Sequence, residues 1–263
     1  AAIIHEAGAP PGLFANLTMD VRESPAVIAD PLVRAVTVTG SESAGRAVAA
    51  DAGANLKKCV LELGGSDPYV ILEDADLQLA AEKCVTSRML CTGQVCIAAK
   101  RIIAVDAIYE PFKNLVLDQL KRYEMCDPQK KACMLGPLAR EDLRTRVHSQ
   151  VQRSIQLGAD LIMGGSIPSG EGWWYPPTAL ENVDSGMPAF DEEVFGPVAV
   201  LIRADNMNHA LALAGDTRFG LGAAIFSADA ESTRMAADKI DVGCFAVNDF
   251  VRSDPRIPFG GTK

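Results

Sequence analysis

Two short segments hold the side chains best suited to do chemistry. Cys96 closes the run Thr92-Gly93-Gln94-Val95-Cys96, and Glu62 sits in Leu61-Glu62-Leu63-Gly64-Gly65. A thiolate attacks carbonyl carbon, and a carboxylate deprotonates water, so the pair suits a covalent route such as oxidation of an aldehyde through an acyl-sulfur intermediate. Alone, neither residue is specific. A cysteine with an ordinary pKa of about 8.5 ionises little at neutral pH and more often ends as an inert buried thiol. A strand Glu more often ends in an ion pair at the surface.

The elements that must position the pair read as α/β. Arg34-Ala35-Val36-Thr37-Val38-Thr39 predicts a buried strand, and Gly40-Ser41-Glu42-Ser43-Ala44-Gly45 leads into an Ala-rich helix ending near Gly53. Lys57-Lys58-Cys59-Val60-Leu61-Glu62 is the next strand. Strand, turn, helix, strand is the unit of a parallel sheet. Leu13-Phe14-Ala15-Asn16-Leu17 is a further candidate strand, and Gly64-Gly65 marks a boundary. Beyond it, helices are expected over 77–90, 109–123, 141–157, 206–214 and 230–239, with strands over 101–105, 161–163, 198–202, 222–226 and 243–247. Trp173-Trp174 serves either as a binding platform or as packing in a hairpin.

The 263 residues carry a net charge of -9 without a Lys/Arg run, which argues against a nucleic-acid partner and a polybasic membrane anchor. No apolar run approaches the roughly 18 residues of a spanning helix, and Ala1-Ala2-Ile3-Ile4-His5-Glu6 does not read as a signal peptide. Seven cysteines, with no CxxC and isolated from the three histidines, are expected to be reduced thiols of a cytoplasmic protein, with neither disulfides nor a metal site. Without an initiator Met, and opening in what reads as mid-helix, the chain is expected to be a piece of a longer protein.

Four motifs in order, Leu61-Glu62-Leu63-Gly64-Gly65, Gly93-Gln94-Val95-Cys96, Glu192-Glu193-Val194-Phe195-Gly196-Pro197 and Pro258-Phe259-Gly260-Gly261, resemble those of the NAD(P)-dependent aldehyde dehydrogenases. Met134-Leu135-Gly136-Pro137-Leu138-Ala139-Arg140 and Ser253-Asp254-Pro255-Arg256 look most like the bacterial succinate-semialdehyde dehydrogenases among them. The resemblance implies the C-terminal part of a Rossmann-like cofactor domain over 1–63, an α/β catalytic domain over 64–257, and over 258–263 the start of a return to the cofactor domain. It also implies NAD or NADP as cofactor, a small aldehyde as substrate, and a homo-oligomer (dimer or tetramer) for the full-length protein. The strands that select the coenzyme and the family's oxyanion Asn would lie upstream.

By the same resemblance, Cys96 is the nucleophile and Glu62 the base that hydrolyses the thioester. Glu62 disfavours the branch that passes its thioester to coenzyme A. Gly40 and Ser41 match the pyrophosphate contact, although a plain helix cap by Ser41 is the competing reading. Leu63 would line the nicotinamide pocket, and Glu193 with Phe195 would hold its ribose. Phe250 and Arg252 fall on the loop bordering the aldehyde funnel, where Arg252 is either a partner for a substrate carboxylate or a solvated side chain. One position departs from the pattern. Family members usually carry Asn five residues before the nucleophile, and here Cys91 stands there, either as a disulfide partner for Cys96 or as tolerated drift. A catalytically incomplete homologue acting as a structural or partner-binding domain is the alternative function.

Overall fold

The computed structural model describes residues 1–263 as two compact units, Ala1–Leu63 and Gly64–Lys263. The first holds helices α1 (Ala2–Glu6) and α2 (Ser24–Ala29), strand β1 (Ala35–Thr39), helix α3 (Glu42–Ala54) and strand β2 (Lys58–Glu62). β1 and β2 pair in parallel, with Thr39 opposite Glu62. Residues 13–17 form no strand. Their apolar Leu13, Phe14 and Leu17 are exposed, and a strand needs a ladder partner that this segment lacks.

The second unit runs β3 (Asp67–Ile71), α4 (Leu77–Met89), β4 (Ala99–Val105), α5 (Asp106–Leu120), α6 (Glu141–Gln156), β5 (Asp160–Met163), β6 (Thr178–Glu181), α7 (Pro188–Asp191), β7 (Val198–Ala204), α8 (Met207–Gly215), β8 (Gly222–Phe226), α9 (Ala230–Lys239) and β9 (Cys244–Val247). Seven strands form one sheet in the order β5-β6-β7-β4-β3-β8-β9, parallel except for edge strand β5. Alternate residues feed two cores: Val70, Ile103, Val200 and Ile225 on one face, Tyr69, Ile71, Ile102 and Leu201 on the other. Burial on both faces removes the polar alternation that marks a half-exposed strand. Residues 258–263 lie against this unit, where Thr262 donates its N–H to the Gly220 carbonyl (3.0 Å).

The cysteines require a correction. Cys126 and Cys133 are joined as a disulfide, with Cα atoms 5.3 Å apart. A chain reversal places them together: Cys126 N–H donates to Leu135 O and Cys133 N–H to Lys130 O. Sequence separation alone gives no sign of that reversal. Cys59, Cys84, Cys91, Cys96 and Cys244 are free thiols, so Cys91 and Cys96 are not bonded to each other. No helix is long and apolar enough to cross a membrane.

Candidate active site

The chemically suited residues of the second unit gather at the N-terminal edge of its parallel strands. Asp67 opens β3, the Cys96 loop runs into β4, Glu193 precedes β7, and Gly222 opens β8. Ligands of open α/β sheets more often sit at the carboxyl ends. That opposite edge also carries a hollow, of about 460 Å³, with Glu73, Asp74, Asp205 and Asp229 in its lining and no cysteine.

Helix α4 ends at Met89, and the chain then turns sharply with Cys91 at φ +51° and Thr92 at φ +58°. Both lie in the left-handed region, which costs a non-glycine residue about 1 kcal/mol. Asn tolerates that region better than most residues. Cys91 thus stands at a position whose backbone conformation favours Asn over most residues. Gly93 follows at φ +74°, and a Cβ on it would stand 2.2 Å from Gly196 O. The loop thus packs backbone to backbone on the Glu193-Phe195-Gly196 segment.

Side chains complete the grip. Thr92 Oγ1 donates to Gly136 O (3.1 Å), Gln94 Nε2 to Cys91 O (3.1 Å), and Ala139 N–H to Gln94 Oε1 (3.0 Å). The buried Arg88 guanidinium donates to Gly93 O. Lys100, 2% exposed, donates to Val95 O (2.9 Å) and Cys96 O (2.6 Å), and its Nζ lies 3.5 Å from Glu193 Oε1. The same Glu193 oxygen accepts the Gly65 N–H (3.2 Å), while a Cβ on Gly64 would overlap Glu193 Oε2 at 2.2 Å. Gly64-Gly65 therefore permits a close approach to the Glu193 carboxylate.

Cys96 itself is half-buried. Burial pushes its thiol above the ordinary range, and Lys100 pulls it back. Lys100 is held down to about 8, chiefly by burial, against the pull of Glu193. Asp67 lies beneath, fully enclosed and raised to about 7 by burial. Its Oδ1 accepts the Gly222 N–H (3.2 Å), and its Oδ2 has no partner, as suits a protonated acid. Arg101 spends its guanidinium on Ser66 O, Leu213 O and Ala214 O (3.2, 2.7 and 3.0 Å). Sequence reasoning did not single out Lys100, Arg101, Arg88 or Asp67. The available signal was the pair Lys100-Arg101 at the mouth of an otherwise apolar strand, which places two charges in a core.

Phe195 is half-buried beside Glu193. Phe250 and Arg252 follow β9. The Arg252 guanidinium, 4.5 Å over the Phe250 ring, is paired with Asp249, which also meets Lys83 at 3.0 Å. A hollow of about 290 Å³ has Cys244, Phe245, Phe250, Arg252 and Phe259 in its lining. Val251 N–H donates to Tyr69 Oη, which meets Ser87 Oγ, which accepts Ala99 N–H, so three hydrogen bonds join this rim to the start of β4. Trp173 and Trp174 fasten their own loop: Trp174 Nε1 donates to Glu171 O, and Arg144 lies over the Trp173 ring.

In the first unit Gly40 N–H donates to Glu62 O (3.0 Å), which ties the β1–α3 turn to the end of β2. Ser41 caps α3, its Oγ accepting Ala44 N–H at 3.3 Å. Glu62 is the half-buried last residue of β2, and the next residue, Leu63, packs closely on Gly45 of α3.

These two units, a β-α-β piece and a mostly parallel seven-stranded sheet with a thiol loop at its N-terminal edge, have an aldehyde dehydrogenase-like α/β fold. The chain belongs to the aldehyde dehydrogenase family, whose model matches residues 1–263. It is 46% identical over its whole length to succinate semialdehyde dehydrogenase [NAD(P)+] Sad of Escherichia coli (strain K12), covering 57% of that protein. Over 99% of its length it is 41% identical to succinate-semialdehyde dehydrogenase [NADP(+)] of Deinococcus radiodurans, covering 55% of it. Among solved structures it is similar to succinic semialdehyde dehydrogenase from Streptococcus pyogenes in complex with NADP+, with TM-score 0.96 and 36% identity over the whole chain and 58% of the other. The chain thus spans somewhat more than half the length of these relatives.

Proposed function

We propose that this protein oxidises an aldehyde to a carboxylic acid with NAD(P)+, with Cys96 as nucleophile and Glu62 as hydrolytic base. In this reading residues 1–63 belong to the dinucleotide-binding domain and 64–257 to the catalytic domain. The observation that carries the reading is the half-buried Cys96 on a loop whose carbonyls are held by an ammonium group.

The residues fit a dinucleotide. Gly40 follows β1, and Ser41 caps the 13-residue helix α3, whose N-terminus favours an anion. Glu193, 17% exposed at its side chain, is fixed by Gly65 N–H and Lys100 and offers carboxylate oxygen to ribose hydroxyls. Phe195 and Leu63 would bound the nicotinamide.

Cys96 Sγ, as thiolate, bonds to the carbonyl carbon, and the carbonyl oxygen becomes an oxyanion. When bound, NAD(P)+ supplies the acceptor for the hydride that leaves this adduct. The product on Cys96 is a thioester. Glu62 removes a proton from water, the water oxygen bonds to the acyl carbon, and the carbon–sulfur bond breaks to return the thiolate. Succinate semialdehyde is the proposed substrate. Its far carboxylate calls for a cation, and Arg252 at the rim provides one by exchanging Asp249 for the substrate. The succinate-semialdehyde relatives favour that choice.

Replacing Cys96 with Ala should abolish both turnover and the acyl-enzyme seen by mass spectrometry in the intact enzyme; turnover near wild type refutes the role. Glu62→Gln should give a burst of NAD(P)H followed by arrest at the thioester. Unchanged steady turnover removes Glu62 from the mechanism.

A further inference from the structure

We propose that Lys100 is a positioning residue for the nucleophile: its ammonium fixes the Val95 and Cys96 carbonyls and ties the Cys96 loop to Glu193. The inference deepens the function proposed above and rests on it, since it assigns to Lys100 the placement of Cys96 relative to a carboxylate read as a cofactor contact.

Three observations carry it. First, Lys100 Nζ donates to two successive carbonyls of the loop, at 2.9 and 2.6 Å, and faces Glu193 Oε1 at 3.5 Å. One ammonium thus makes two hydrogen bonds to the loop and an ion-pair contact to a second segment. Second, the side chain is 2% exposed. Burying an ammonium costs several kcal/mol unless it is paired and hydrogen-bonded, so these carbonyls and the Glu193 carboxylate offset the cost of placing Lys100 here. Third, Gly93 lies on the Gly196 backbone and Gly65 donates to the same Glu193 oxygen. Nucleophile loop and acidic segment therefore meet at one cation, and the glycine turn joins them through Glu193.

The groups facing Lys100 are Glu193, Arg88, Asp67 and Cys96. Among them Lys100 is the group that favours the Cys96 thiolate, whereas Asp67 and Glu193 oppose it. Loss of the cation should therefore raise the pH at which Cys96 becomes reactive.

The test is alkylation of Cys96 by iodoacetamide between pH 6 and 9, localised by fragment mass spectrometry so that Cys96 is separated from Cys91. Lys100→Met should move the rate profile upward by about one pH unit, slowing alkylation near pH 7 about tenfold. Lys100→Gln keeps a donor for the carbonyls but no charge. It should give the same upward shift, and it decides the matter if Lys100→Met melts without cooperativity. Glu193→Gln should alter the profile less in the Lys100→Gln background than in the wild type, because the two side chains act through one contact. An unchanged profile in a folded Lys100 variant, or strict additivity with Glu193→Gln, overturns the proposal. The assay reads the thiol and not the oxidation. A shifted profile together with full turnover in Cys96→Ala keeps the positioning role and sinks the oxidation mechanism. An unchanged profile with an inactive Cys96→Ala does the reverse.

Discussion

The floor beneath Cys96 and the rim at Phe250 and Arg252 are built from the same residue types in opposite solvents. In the floor, Lys100, Arg101, Arg88 and Asp67 are fully enclosed; Lys100 and Arg101 are directed at backbone carbonyls, while Arg88 holds Gly93 O and leaves its Nε and Nη1 without a partner. At the rim, Arg252 is 56% exposed at its side chain, and Asp249 shares itself between Arg252 and Lys83. A buried cation without its acceptors carries a large desolvation cost, whereas an exposed pair exchanges for water at little cost. The floor is therefore specified as one arrangement, and under the proposed function the exposed rim would be free to trade Asp249 for a substrate carboxylate. The first property suits the nucleophile and the second the substrate contact that the proposed function assigns to these regions.

The sharpest way to break this contrast is Arg101→Met. Removing the guanidinium leaves the Ser66, Leu213 and Ala214 carbonyls without their donor inside the core. Unfolding in urea should show a loss of about 3 to 5 kcal/mol at unchanged slope. A loss below about 1 kcal/mol would mean the floor is no more specified than the rim.

Asp67 tests the same floor through pH. Its folded pKa, raised from 3.8 to about 7, means that the folded state binds the proton more tightly than the unfolded chain. The resulting stabilisation is full below about pH 4 and is lost as pH rises toward 7. Asp67→Asn cannot ionise, so its stability relative to the wild type should increase by more than about 1 kcal/mol between pH 5 and pH 8. Paired urea titrations at the two pH values measure this difference, in which the other carboxylates cancel.

Much of the architecture was legible because most elements announce themselves locally. A β-branched run marked β1, the strand-turn-helix-strand order marked β2, and β8 and α9 were expected over their observed spans. β3 was not, because Ser66-Asp67-Pro68 reads as a turn. The proline is accommodated where the register between β3 and β4 shifts, at Asp67/Pro68. The pairing of Cys126 with Cys133 depends on a chain reversal that spacing alone does not signal. In the site, motif residues were nameable from type and order, while Lys100, Arg88 and Asp67 matter through burial and distance, which one sequence does not display.

Cys91 lies between the two regimes: an exposed residue in a loop held from below, with its φ at +51°. Asn accepts this conformation more readily. Cys91→Asn should stabilise the protein by about 0.5 to 1 kcal/mol in thermal or urea unfolding. A destabilising outcome would show that the Cys91 side chain contributes a contact worth more than the backbone strain.

The smallest stability effect belongs to Arg252→Gln. Both Arg252 and Asp249 remain near solvent, and Asp249 keeps Lys83 at 3.0 Å when the guanidinium is removed. Unfolding should move by less than about 0.5 kcal/mol. Binding separates from stability here. If Arg252 releases Asp249 to hold a substrate carboxylate, KM for succinate semialdehyde should rise about tenfold, roughly the value of one charge-assisted hydrogen bond, while KM for an uncharged aldehyde of similar length stays put. An equal rise for both aldehydes would make Arg252 a support for the Phe250 ring, and a large loss of stability would place the rim with the floor.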